Sequence, residues 1–502
     1  MEKIRRFIHD NWLFVLLFVP FFFICINNRN PNNDIWFLLN NGRYVIQHGI
    51  PYVEPFTIHE GLSYVMQQWG SSVIFWSIFN FFGKKGLIVL VYCFSFLFMF
   101  VFYKLCHLVS NKKDLSIILT SIVFLFVSPY LVLRPQLFSY IILFLEIYII
   151  ELYIKKKNNK LLFILPVLSL LLINLHAASW YYQFVFLLPI VLNCIPIKKY
   201  RIDKYNCKPI LIAAIFMFLL GFINPYGIGS ITYIFKSYGI TEINSSIGEM
   251  KPVVWYYYEG KSLFASIILL YFLIYTRRKF KLDVRHTLFI AGLTLMAFIH
   301  LKCYPLYILM FAYCISYGFK KDKIKLEFNN KYFIALFNGL KIGTVVSLIV
   351  TFVLTINYSY NNFVFSSEQE VDDTIEYVVN NYNKDDVRLF VDFNLGGLAE
   401  FHGLKTYIDA RAEIFVKKLN GKKDIFKESK ALNERGCDYD KFLNTYNFTH
   451  LLIYYDSFFF DYLINDDKYE IVYGSDLEDM DGNSYIYVFA LKDMEVEDEE
   501  VK

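Results

Sequence analysis

The chain has 502 residues, of which 56% are hydrophobic and 20% aromatic. That is more apolar surface than a water-soluble domain can bury, which excludes an ordinary soluble protein and leaves much of the surface to face lipid. The net charge of +4 carries no nucleic-acid footprint, because the basic residues fall in short loops between apolar blocks rather than in one patch.

In chain order the apolar blocks lie near 11–27, 86–105, 114–132, 137–154, 161–176, 181–197, 209–224, 262–276, 286–302, 303–319 and 337–357. Each runs for about 16 to 20 residues, close to the length that crosses a hydrocarbon core, which predicts about eleven crossings. Alternate loops hold the positive charge: Lys3, Arg5 and Arg6; Lys112 and Lys113; Lys155, Lys156 and Lys157; Lys198, Lys199, Arg201 and Lys204; Arg277, Arg278, Lys279 and Lys281; and Lys320, Lys321, Lys323 and Lys325. Short cytoplasmic loops retain Lys and Arg, so these loops and the N-terminus are placed in the cytoplasm. Loop 28–85 and the segment 358–502 are then extracytoplasmic. No small-residue cleavage site follows the first block in Ile26-Asn27-Asn28-Arg29, so that block is read as a span and not as a signal peptide.

The loop 28–85 is too long for a simple connection. The apolar residues Ile35, Leu38, Leu39, Tyr44 and Val45 predict a surface helix over 34–47, and a second is predicted over 64–82. Asp34 then sits at the mouth of the membrane bundle, where an acid is costly unless it is solvated or paired. It reads equally as a helix N-cap, for which Asp is favoured. Other polar residues gather at the same ends of the spans: Arg134-Pro135-Gln136, Asn174-Leu175-His176, Asn224-Pro225-Tyr226-Gly227, Glu249 with Lys251, and His300 with Lys302. Each has a structural reading, Arg134 and Lys302 as snorkelling cations and Asn224-Pro225 as a helix stop. Together, one Asp facing cations and an imidazole can hold a lipid-linked phosphate and deprotonate a hydroxyl. Of the eight cysteines only Cys437 falls in the external segment, so no disulfide framework is expected there.

Beyond 358 the hydropathy falls. Strands are predicted near 387–392, 404–408, 449–455, 468–473 and 484–490, and helices near 367–382, 422–432 and 438–446, the pattern of a small α/β domain. Gly396-Gly397 lacks the spacing of a phosphate-binding fingerprint and is read as a tight turn. Asp409 and Arg411 read as a salt-bridged strand end or, with Glu400 and Glu413, as a sugar-binding rim. The acidic residues 495–500 read as a solvated tail.

The order of these motifs resembles the bacterial C-type glycosyltransferase membrane proteins, in an uncharacterised branch. The similarity is carried by Asp34 with Trp36, Gly42-Arg43, Gly49 with Pro51, Glu54-Pro55-Phe56-Thr57 and Trp69. Farther on it is carried by Arg134-Pro135-Gln136, Asn174-Leu175-His176, Asn224-Pro225 with Gly227, Asp392 with Asn394 and Gly396-Gly397, and Ile408-Asp409 with Arg411. The chain departs from that group in two places. Ile35 follows Asp34, where protein mannosyltransferases have a doubled acidic pair, and Gln67 stands where a His is usual before the Trp.

The resemblance implies a polytopic α-helical membrane domain over 1–357 and an extracytoplasmic α/β domain over 358–502. It implies transfer of a sugar from a polyprenyl-phosphate-linked donor to an extracytoplasmic glycan, lipid or protein acceptor in the cell envelope. Asp34 is then the catalytic base or the ligand of a divalent cation, Mg or Mn. From the residues themselves Arg134, His176 and Lys302 are candidates for binding the donor phosphate, Arg43 and Lys251 for binding substrate, and Glu400, Asp409 and Arg411 are the external-domain candidates. Partners beyond donor, acceptor and bilayer are not implied, and nucleic acid is excluded. A transporter or flippase of lipid-linked glycans, or an envelope-assembly scaffold, is the alternative; few ionisable residues inside the spans, Glu146 and Glu151 among them, argue against a transporter.

The orientation predicts a labelling pattern. Cysteines added at Ser245 and Asn447 react with a membrane-impermeant reagent from outside, and cysteines added at Asn158 and Asp322 do not. The opposite pattern at the first pair overturns the assignment.

Overall fold

The computed structural model describes residues 12–28, 33–195, 203–237, 239–320, 366–434, 436–474 and 486–492. Each predicted apolar block up to 319 coincides with helix; the block at 337–357 lies outside the described residues. Among the described residues five helices are long and apolar enough to cross a membrane: Trp69–Ser110, Lys113–Tyr130, Gln136–Lys156, Asn159–Ser179 and Tyr258–Thr276. Leu13–Asn27, Tyr182–Leu192, Lys208–Leu220 and Val284–Ile299 are shorter apolar helices. The second predicted surface helix starts at Trp69, five residues later than expected, and runs on to Ser110 with a break at Gly83. Gly83 has φ +60°, a left-handed conformation that glycine takes at no steric cost.

The chain divides into two units. The first comprises Met1–Arg29, Lys84–Gly227 and Asn244–Asn361. Its helices meet through aromatic contacts such as Phe98 with Phe124, Phe144 and Tyr140, at 5.1, 5.6 and 5.9 Å between ring centres. Glu151, read from sequence as an ionisable group in a span, belongs to a buried network. The fully buried Arg285 lies 3.1 Å from Glu151 and 3.3 Å from Asp203, and the Tyr313 hydroxyl donates to Glu151 at 2.5 Å. Lys320 adds a second cation 3.3 Å from Asp203, so two acids face two bases, the balance a buried charge group requires. Cys194 and Cys207 form a disulfide with a Cα–Cα distance of 6.3 Å, a pairing not anticipated from the sequence.

The second unit comprises Asn30–Gly83, Ile228–Ile243 and Asn362–Lys502. The first long loop therefore folds with the C-terminal segment. All five predicted strands form: β1 Arg388–Phe390, β2 Lys405–Thr406, β3 His450–Tyr454, β4 Tyr469–Tyr473 and β5 Ile486–Leu491. Their order is β2-β1-β3-β5-β4, with β1 parallel to β2 and β3, and β5 antiparallel to β3 and β4. Side chains alternate across a sheet. Leu389, Leu452 and Val488 meet Val371, Ile375 and Val378 of the Ser366–Asn381 helix on one face. On the other face Phe390 packs against Phe442, Phe448 and Phe459 at 5.7, 5.6 and 5.3 Å.

The loop closes the β2 edge of this sheet. Thr57 bridges Thr406 in parallel, and the Ile58 amide donates to the Thr406 carbonyl at 2.9 Å. His59 Nε2 donates to the Tyr407 carbonyl at 2.7 Å. Burial pushes the His59 ring down to about 4, so it is a neutral part of this wall. Gly396-Gly397 is not the tight turn expected; it opens the Gly396–Phe401 helix. A Cβ at Gly396 would lie 2.0 Å from the Ile408 carbonyl oxygen, and one at Gly397 would lie 3.2 Å from the Phe37 amide. The pair is glycine because a strand end and the Asp34–His48 helix approach it so closely. Gly42 answers the same need on the other side of that helix, 2.1 Å from the Ser72 carbonyl oxygen for an added Cβ.

At the centre of the unit one guanidinium serves three carboxyl groups. Arg411 Nε donates to Asp409 at 2.8 and 2.9 Å, and Nη2 donates to Glu54 at 3.0 Å, to Glu400 at 3.1 Å and to Asp409. All four residues are buried. Glu54 also accepts from the Phe56 and Thr57 amides, both at 2.9 Å, and from the Thr57 hydroxyl at 2.7 Å, which accounts for the Glu-Pro-Phe-Thr step. The guanidinium lies 5.0 and 5.3 Å from the ring centres of Phe56 and Tyr64, a favourable place for a cation edge that takes no hydrogen bond. Burial, with Asp409 beside it, pushes the Glu400 carboxyl well above the usual carboxylate range. Burial acts to discharge Arg411, and Asp409, Glu400 and Glu54 more than offset it.

Two outcomes follow for this cluster. Arg411→Ala leaves buried acids uncompensated and costs about 3 to 5 kcal/mol, read as a fall in melting temperature on the order of 10 °C with protease cleavage appearing in 50–63. Glu400→Gln mimics the protonated acid. Because the Glu400 carboxyl titrates higher in the folded protein than in the unfolded chain, its contribution is full below the ordinary carboxylate range and declines as pH rises toward the raised value. The Gln variant therefore melts within a few degrees of the parent at acid pH and loses less stability as pH rises above the ordinary carboxylate range, measured by thermal denaturation.

Candidate functional site

Asp34 is the first residue of the Asp34–His48 helix. The N-cap reading is corrected: Asn33 holds the cap position without a side-chain cap bond, and Asp34 stands in the first turn, where its charge meets the positive end of the helix dipole. The residue is half-buried. Its helix is fixed from several sides within the second unit. Trp36 meets Phe401 at 5.2 Å, Tyr44 meets Phe56 at 5.4 Å, and the Tyr64 hydroxyl donates to Asn41 at 3.0 Å. A carboxylate carried on so restrained a helix keeps its direction, as a catalytic group must.

Arg43 lies one face along the same helix. Its Nη2 donates to Asn40 Oδ1 at 2.6 Å and to the Phe401 carbonyl at 3.0 Å, and its guanidinium lies 5.1 Å from the Phe401 ring and 5.7 Å from Trp76. Burial lowers its guanidinium from the usual value, but an arginine stays charged in a protein. Arg43 borders a cavity of about 470 Å³, together with Asn40, Tyr44, Glu400, Lys384 and Lys405. Of the three external-domain candidates only Glu400 lines this cavity. Asp409 and Arg411 belong to the buried cluster, with 0% and 4% exposure, and hold the unit together.

Among the described residues one group of three could hold a cation, and it does not include Asp34. Asp372, Glu376 and His402 bring a ligand atom each within 4.8 Å of one another, with His402 Nε2 2.9 Å from Asp372. Two carboxylates and an imidazole suit a divalent metal. Sequence reading missed the group. The spacing of Asp372 and Glu376, four apart on a predicted helix, was a signal; His402, after a glycine pair read as a turn, was not.

In the first unit Arg134, His176, Lys251 and Lys302 come to one end of the helices. Arg134 pairs with Glu249 at 3.3 Å. The Lys251 carbonyl accepts from the Leu301 amide at 2.8 Å, and His300 Nδ1 donates to the Met250 carbonyl at 2.7 Å. His176 Nδ1 lies 2.7 Å from the Ser139 hydroxyl and 2.9 Å from that of Ser179, and Lys302 is within electrostatic range of it. His300 and Glu249 thus shape the segment that carries Lys251 and Lys302, a role not assigned to them from sequence.

No protein-family profile and no curated protein matches the chain. Among solved structures, the crystal structure of the Archaeoglobus fulgidus oligosaccharyltransferase tethered with an acceptor peptide containing the NVT sequon is similar, with a TM-score of 0.57 and 10% identity. Its apo form gives a TM-score of 0.57 and 12% identity. Both alignments cover 89% of this chain and 70% of that one. At such identity the likeness is one of fold, and it extends over nearly the whole chain.

Proposed function

We propose that this chain is a membrane glycosyltransferase that moves a sugar from a polyprenyl-phosphate-linked donor to an extracytoplasmic glycan, lipid or protein acceptor, with inversion at the anomeric carbon. The observation that carries the proposal is the fold likeness to an oligosaccharyltransferase over 89% of the chain. In the step, the acceptor oxygen forms a bond to the anomeric carbon as the bond from that carbon to the phosphate oxygen breaks. The electron pair leaves with the polyprenyl phosphate. Asp34 takes the acceptor proton; Arg134, His176 and Lys302, in the first unit, are the candidates for holding the donor phosphate. A divalent cation, Mg or Mn, supplies further charge stabilisation when bound; Asp372, Glu376 and His402 are the described residues whose donor set fits one.

Asp34→Asn tests the reading. Because Asp34 is not the cap, the change leaves the helix start intact but removes the charge and the proton-accepting oxygen. The variant inserts and melts as the parent does, and its transfer of radiolabel from polyprenyl-phosphate hexoses falls by about 10² to 10⁴. Near-normal transfer by a well-folded variant removes Asp34 from the mechanism and favours a transporter or scaffold.

A further inference from the structure

The cavity beside Arg43 has a chemistry of its own. Among its lining residues the basic groups are Arg43, Lys384 and Lys405, joined by the imidazoles of His48 and His402. The one acid is Glu400, which is 2% exposed and whose carboxyl is bound by Arg411 and by the Thr406 hydroxyl at 2.9 Å. Both its oxygens already accept from Arg411, so it is matched by a cation outside the cavity lining. Asn40 lines the same cavity at 2% exposure. Its Oδ1 is taken by Arg43, which fixes which end of the amide is which, and its buried Nδ2 finds no hydrogen-bond partner among the described residues. A buried donor without a partner is uncommon in a folded protein, and it marks the wall behind Arg43 as polar.

The remaining walls suit a sugar. Tyr44 and Phe56 supply aromatic surface, Gln47 a second amide, and Pro55 an apolar edge. The volume of about 470 Å³ lies within the range of small-molecule sites. Arg43 and Lys384 are already restrained, Arg43 by the Phe401 carbonyl and Lys384 by the His402 carbonyl at 3.0 Å, so little side-chain entropy is lost when they meet an anion.

We propose that this cavity binds an anionic sugar unit, a glycan residue bearing a carboxylate or phosphate, and thereby selects the acceptor. The saccharide part rests on the glycosyltransferase reading; the anionic part rests on the cavity alone. An acidic group pairs with the half-buried Arg43 and with the exposed Lys384 and Lys405, and the sugar face lies on Tyr44 and Phe56.

The test uses the purified full chain in lipid nanodiscs, titrated by calorimetry with glucuronic acid, glucose and inorganic phosphate. Glucuronic acid binds at least tenfold more tightly than glucose, and its binding weakens as salt is raised. The double variant Lys384→Ala with Lys405→Ala weakens glucuronic acid binding at least tenfold without moving the melting temperature. Equal binding of glucose and glucuronic acid, unchanged affinity in the double variant, or no binding of any of the three probes overturns the proposal. Phosphate that binds as tightly as glucuronic acid leaves an anion site and overturns the sugar. The titration needs no turnover, so its failure is distinct from a failure of the function. Glucuronic acid binding by a chain that transfers no sugar removes the glycosyltransferase reading, and sugar transfer without such binding removes only this inference.

Discussion

The second unit depends on the Arg411 guanidinium. A buried acid is expensive, and three of them are held by one cation: Asp409 accepts from Nε and from Nη2, and Glu54 and Glu400 share Nη2 with it. The arrangement joins pieces of chain that lie far apart in sequence. Glu54 comes from the first long loop, Glu400 from a short helix, and Asp409 from the segment after β2. A hydrophobic cluster in its place could be as stable, but it would not fix the register of the loop against the sheet edge as four charged groups with directed bonds do.

The same economy explains the motifs that carried the family resemblance. Gly42 lets the Asp34–His48 helix settle on Ser72, Gly397 lets it settle on the Gly396–Phe401 helix, Gly396 admits the Ile408 carbonyl, and Glu54 with Thr57 shapes the turn that reaches Thr406. They build the support that holds the helix of Asp34 and Arg43 in place.

The strands of the C-terminal sheet were legible in sequence because β-branched and aromatic runs bounded by polar turns have few other uses; all five fell within two residues of their expected limits or inside them. The Asp34–His48 helix was legible for a similar reason, its apolar stripe. Gly396-Gly397 was misread because a tight turn and a closely packed helix start both demand glycine, and only the position of Ile408 and Phe37 separates them. The bond between Glu54 and Arg411 was not legible at all. The two residues are 357 positions apart, and nothing local in either motif points to the other. The cavity was legible only in part: Arg43 and Glu400 stood out as charged residues in motifs, whereas Lys384, Lys405 and Asn40 are ordinary until the fold brings them together.

That separation has a consequence for how the protein is made. At about 5 to 20 residues per second, the loop leaves the ribosome on the order of 20 to 70 seconds before Arg411 exists. During that interval Glu54, the edge-seeking segment around Thr57 and the apolar side of the Asp34–His48 helix have no permanent partner. The loop must be kept from other sheets and from the bilayer until the end of the chain arrives. Translation that stops short of Arg411 leaves a membrane helix bundle with an unsatisfied strand beside it, a substrate for quality-control proteases even if every span has inserted correctly.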